Sequence, residues 1–222
     1  PSLSKDFQTV CDLKIINING GEKRNSIPAQ ASATIAVPND AVASLEEVVK
    51  AFVEDISVTG ELLEHNAQNV EISLVPTESV ELVGAFSDDL KSRLMEVINT
   101  LPTGPFSSAE LPNVGELVTL SNNLGVITTN QEDITISTMT RGARIEETRA
   151  KLTEIRELYL QNGAKLTHAP EPTAGWLENP ATSQAVSIVT EAVKKAAGSA
   201  KLMAYHAGLE CGIITDKARG EM

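Results

Sequence analysis

Residues 44–56 read SLEEVVKAFVEDI, with Leu45, Val48, Val49, Phe52, Val53 and Ile56 at i, i+3, i+4, i+7, i+8 and i+11. That spacing winds one apolar stripe along an α-helix and leaves the other face polar. A one-faced helix has to lie on a second layer, which is the strongest single constraint on this chain. Ser44 is its expected N-cap. Two further segments share the pattern. In SDDLKSRLMEVINTLPTG, Ser87 caps, acids fill the first turn, and Leu90, Leu94 and Val97 line one face. In RIEETRAKLTEIRELYLQNG, Ile145, Thr148, Leu152, Ile155 and Leu158 turn inward, and Gly163 follows the end.

The layer for these helices is expected to be a sheet. DLKIINING (Asp12–Gly20) and ASATIAVP (Ala31–Pro38) read as two antiparallel strands joined by a loop containing EKRNSIP. VEISLVP (Val70–Pro76) reads as a strand. ELVTLSNNLGVITTN and DITISTMTRG read as a hairpin across the polar turn NQED, and AKLTH as a returning strand. Residues 12–168 therefore read β-β-α-β-α-β-β-α-β. The expected fold is α+β: a two-layer sandwich with helices on one face of a mostly antiparallel sheet. With aromatics at only 3%, the core must come from Val, Ile, Leu and Ala.

APEPTAGWLENPATS (Ala169–Ser183), rich in proline, is the best boundary. Beyond it SQAVSIVTEAVKKAAG reads as a helix and AKLMAYHAGLECGII as an apolar strand entering a glycine loop. A piece this small cannot bury enough surface to fold alone. The 222 residues exceed the usual single-domain size, so one large or two unequal domains are expected. The opening PSLSKDFQTV has neither an initiator Met nor the apolar run of a signal peptide, which suggests a piece of something longer.

A net charge of −12 makes nucleic acid and anionic membrane poor partners. No apolar run approaches the length of a bilayer span. Cys11 and Cys211 form no CxxC pair and read as buried free thiols. His65, His168 and His206 belong to no HxD, HxxE or HExxH motif. His206, at a strand-to-loop transition, is the histidine of most interest. The pairs Glu46-Glu47, Asp88-Asp89 and Glu146-Glu147 each sit in the first turn of an expected helix, where the helix dipole accounts for them. Arg24 and Asn25 lie in the first loop. Arg141 ends the hairpin, either as a fork for a carboxylate or as a surface arginine near Glu146. No complete catalytic set is present, and the chain reads as an acidic, cytoplasmic α+β domain with an incomplete tail.

INGGEKRNSIPAQASATIAV (18–37), LSNNLGVITT (120–129), TMTRG (138–142), AGWLENPATS (174–183) and YHAGLECG (205–212), in that order, resemble segments of the bacterial aminoacyl-histidine dipeptidases, carnosinase-like members of the dizinc peptidase superfamily. The likeness covers nearly the whole chain. It implies that residues 1–170 are a lid, or dimerisation, domain and residues 171–222 a linker and part of a catalytic domain, a short α/β piece. It implies two zinc ions in the full-length enzyme and none on this chain, whose ligands and general base lie elsewhere, so that the fragment alone is inactive. It also implies a homodimer through the lid and an Xaa-His dipeptide substrate. The residues it places at the substrate are Asn25, Arg141, His206, Gly208 and Glu210. Arg141 would hold the C-terminal carboxylate, while Glu210 would recognise substrate rather than bind zinc. The competing expectations are a stand-alone α+β dimerisation or ligand-binding module and a catalytically dead relative.

Overall fold

The computed structural model describes residues 13–59, 71–76, 84–173, 175, 181–207, 212–214 and 217–218. Five strands form one sheet: β1 (Lys14–Gly20), β2 (Ala31–Ala36), β3 (Gly104–Leu111), β4 (Gly115–Thr129) and β5 (Ile134–Gly142). The order is β2-β1-β4-β3, with β5 also paired to β4. The helices are α1 (Val42–Thr59), α2 (Asp88–Thr100), α3 (Ile145–Gln161) and α4 (Gln184–Ala197). The expected α+β class with a mostly antiparallel sheet is what the chain adopts.

Contacts divide the chain into two compact units. The first comprises Pro1–Gly20, Gln30–Asn99 and Thr128–Thr135. Here β1 and β2 pair antiparallel from Lys14↔Ala36 to Gly20↔Ala31, with an irregularity between Ile15 and Asn17. Ile15, Ala41, Leu45, Phe86, Leu94 and Val97 are buried in this unit. Phe86 N–H donates to Ile15 O at 2.7 Å, and Lys91 Nζ to Leu13 O at 2.9 Å, so the approach to α2 is tied to β1. Ser87 caps α2 as expected, its Oγ accepting from Leu90 N–H at 3.2 Å. Asp88 pairs with Lys14 at 2.9 Å, and that bond holds its carboxyl below the ordinary range. Thr129 adds side-chain bonds between β4 and β1: its Oγ1 accepts from Ile18 N–H and donates to Ile18 O, both at 2.9 Å.

The second unit comprises Gly21–Ala29, Thr100–Ile127 and Ile136–Met222. Its core includes Leu101, Leu120, Ile127, Ile155 and Tyr159. β3 pairs antiparallel with β4 from Gly104↔Asn122 to Leu111↔Gly115, with register shifts around Ser107. Ala143 N–H donates to Thr119 O at 2.8 Å, and Thr140 Oγ1 donates to Asn122 Oδ1 at 2.9 Å. Thr148 of α3 lies against Gly142, as does Leu120. The α3 helix therefore covers the β4–β5 face that carries Leu120 and Asn122. Arg156 of α3 donates to Ala169 O at 3.0 Å and Pro170 O at 2.8 Å, fixing the start of the proline-rich segment.

Four expectations need correction. Residues 71–76 form no strand: Ile72, Leu74 and Val75 are exposed and pair with nothing described. Strand propensity measures fit to a half-buried pleated surface, and these residues have no such surface. AKLTH is likewise irregular, as are residues 201–205. Helix α1 begins at Val42, directly after a 3-10 turn at Asn39–Ala41, so Ser44 lies inside the helix and does not cap it. Strand β3 was not anticipated, because GPFSSAEL carries turn signals. Its proline is tolerated because β3 is the edge of the sheet.

Ile155 is 2% exposed and Leu160, five residues on and turned to another face of α3, is 54% exposed. Ile155→Ala is expected to cost about 3 kcal/mol and Leu160→Ala less than about 0.5 kcal/mol. Urea unfolding of the two variants checks the difference, which vanishes if α3 packs otherwise.

Candidate functional site

The polar run Ser121-Asn122-Asn123 lies between Leu120 and Leu124 in the middle of β4, and alternation along the strand sends its members to opposite faces. Asn122 points to the α3 side. It is 2% exposed, its Nδ2 donates to Pro102 O at 2.7 Å, and its Oδ1 accepts from Thr140. Ser121 and Asn123 point to the other face. Thr140 shares the face of Asn122, so its neighbour Arg141 is turned to the face of Ser121.

His206 reaches the same face from the C-terminal segment. Its Nε2 lies 2.6 Å from Ser121 Oγ. Arg141 Nη1 donates to His206 O at 3.4 Å, a long bond that tethers the guanidinium loosely. Burial, and then the nearby Arg141 charge, push the His206 pKa below the ordinary 6.5, against a smaller opposing hydrogen bond at Val118. The neutral form of His206 is therefore favoured, and Arg141 supplies the positive charge of the pair.

Asn25 belongs to the turn Lys23–Ser26, where Ser26 N–H donates to Lys23 O at 3.2 Å. Asn123 Nδ2 donates to Arg24 O at 3.0 Å and to Ser26 O at 2.8 Å, so this turn also sits on the Ser121–Asn123 side of β4. Two glycines permit the approach. A Cβ on Gly125 would strike the Arg24 backbone, and one on Gly21, whose φ is +70°, would strike Gly125 O. Asn25, Arg141 and His206 thus belong to one unit and to one side of β4. Gly208 and Glu210 lie outside the described residues. So do Cys11, Cys211 and His65, whereas His168 is exposed in the segment after α3.

Ser121 and Asn123 were not singled out by sequence reasoning. The available signals were the polar run itself and Gly125, since an isolated glycine in a strand marks close backbone approach. Among the described residues no three His, Cys, Asp or Glu side chains converge to hold a metal ion. With His206 Nε2 engaged by Ser121, the described residues do not fit a zinc ion. The arrangement instead suits an anion: the Arg141 guanidinium is a cationic fork beside a ring that favours its neutral form. No helix among the described residues is long and apolar enough to cross a membrane.

Comparison with known proteins agrees with the resemblance seen in the sequence. Residues 4–61 match the family model of the peptidase dimerisation domain. The cytosol non-specific dipeptidase of Escherichia coli (strain K12) is 29% identical over 206 residues, which make up 91% of this chain and 40% of that protein. The crystal structure of aminoacylhistidine dipeptidase from Vibrio alginolyticus superposes with a TM-score of 0.77 at 24% identity, over 96% of this chain and 43% of that one. That likeness shows the fold. The chain spans roughly two-fifths of the length of these relatives.

A histidine whose pKa is lowered on folding binds fewer protons folded than unfolded, so its neutral form favours the native state. This contribution is fully present above the ordinary histidine pKa and is lost as pH falls through the folded value. An NMR titration should place the His206 midpoint below 6.5, and Arg141→Gln should move it upward. A midpoint above 6.5, or one indifferent to Arg141, would contradict this geometry.

Proposed function

We propose that this chain is the lid-bearing part of a dizinc dipeptidase acting on Xaa-His dipeptides, and that its own task is to hold the substrate. On this reading Arg141 takes the C-terminal carboxylate, Asn25 and His206 flank it, and Gly208 and Glu210 complete the wall. The observation that carries the reading is the gathering of Arg141, His206 and the Asn25 turn on one side of β4. These groups come from three segments separated by more than sixty residues each, and the relatives named above are dipeptidases. A bidentate guanidinium suits a carboxylate, and fixing one end of a short peptide orients the bond to be cleaved.

The reading divides the chain into a lid, residues 1–170, and residues 171–222, a linker with part of a catalytic domain. The exposed apolar face of α4 supports this division. Ile188, Val189 and Val193 are 70%, 61% and 43% exposed, and no α4 residue is buried. Such a face is what a helix shows when its covering layer is supplied by other sequence. The two zinc ions belong, on this reading, to residues outside these 222, so the chain alone is inactive. We place the protein in the cytoplasm, as the Escherichia coli relative is named. We further propose a homodimer through the lid: the matched segment 4–61 includes β1, β2 and α1, and β2 forms an outer edge of the sheet.

Carnosine hydrolysis by the intact gene product, with added zinc, tests the activity. Arg141→Gln should raise KM about 10- to 100-fold, the worth of a charge-assisted pair, while the folded state survives. An unchanged KM would remove Arg141 from the substrate, and no hydrolysis of any dipeptide by the zinc-loaded protein would remove the function.

A further inference from the structure

We infer that Asn123 is a positioning residue, clamping the turn Lys23–Ser26 so that Asn25 is presented on the Ser121–Arg141 side of the sheet. This rests on the proposed reading of Asn25 as a substrate-facing residue. The clamp itself rests on geometry alone. The Asn123 amide has two N–H groups, and they serve the two carbonyls on either side of Asn25, at Arg24 and Ser26. Both acceptors are carbonyl oxygens, so only the amino side of the amide can face them.

Among the described residues, the other hydrogen bonds of the turn are internal to it. Residues 22–27 are all exposed, Ile27 by 86%. No apolar anchor within that stretch competes with the polar clamp. The internal bonds, Ser26 N–H and Ser26 Oγ to Lys23 O, are both 3.2 Å and constrain the shape of the turn but not its place on the sheet. The glycine contact at Gly125 lets the Arg24 backbone lie on the strand, and Asn123 keeps it there. With Asn123 fixed by β4, one side chain determines where the Asn25 side chain emerges.

The test uses Asn123→Asp, which keeps the shape and loses both donors, and Asn123→Ser, which keeps one short hydroxyl donor. Hydrogen exchange of the amides of residues 21–27 and 29 is measured in each. The clamp predicts exchange about tenfold faster in Asn123→Asp, with Asn123→Ser between it and the native protein, while α3 amides are unmoved. Unchanged exchange in the turn overturns the inference. In the intact gene product, kcat/KM for an Xaa-His dipeptide should fall in both Asn123→Asp and Asn25→Ala. The double variant should be no worse than Asn25→Ala, because the two residues act through one contact. A fall in Asn25→Ala with native kinetics in Asn123→Asp also overturns the inference. Native kinetics in Asn25→Ala instead overturns the substrate reading, and the exchange data alone then decide the clamp.

Discussion

The buried amide of Asn122 sets the register on which the candidate site depends. It satisfies the Pro102 carbonyl and the Thr140 hydroxyl together, at 2% exposure. Leaving either partner unmatched in that environment would cost about 1–3 kcal/mol. A strand can slip along its neighbours, and a slip of one residue exchanges its faces. Here a slip would send Asn122 outward and turn Ser121 and Asn123 towards α3. The contacts to His206 and to the Asn25 turn would then be lost together. A polar residue in the core thus specifies an arrangement that apolar packing alone would leave open.

The charges of the site follow from the same geometry. The chain as a whole is strongly acidic, at −12, yet this face presents an arginine and a histidine. Burial acts on His206 before Arg141 does, and both favour the neutral ring. Two adjacent cations would repel each other and attract any anion without orientation. One cation beside an imidazole kept neutral offers a single oriented charge, while the ring itself is held by Ser121 and the Val118 backbone. An anion arriving at Arg141 would weaken the electrostatic cause while deepening the burial, so its two effects on the ring oppose one another.

Much of the fold could be read locally. The helix at Asp88–Thr100 was legible from Ser87 and the Leu90, Leu94, Val97 stripe, and the hairpin from the polar turn at residues 130–133. Where the reading failed, the reason was a partner. VEISLVP has the composition of a strand, yet its described residues 71–76 pair with nothing described, whereas GPFSSAEL has that of a turn and becomes β3 because β4 accepts it. Strand identity depends on the neighbour as much as on the segment. Arg141 and His206 were visible as chemical types, since a fork-shaped cation and an imidazole are conspicuous in a chain with three histidines.

Their supports were not visible, for a physical reason. Ser121 and Asn123 act on residues 85 and up to 99 positions away, and nothing in SNN names those targets. An asparagine amide can serve a turn, a core or water with the same two donors. What selects the Arg24 and Ser26 carbonyls is the close approach at Gly125, which exists only once the loop lies on the strand. Gly125 was therefore the legible half of the contact: a glycine inside a long strand announces that another backbone comes near. Combining that signal with the polar run two residues earlier points to a clamped loop, and the loop between the first two strands is where the polar Arg24 and Asn25 already stood out.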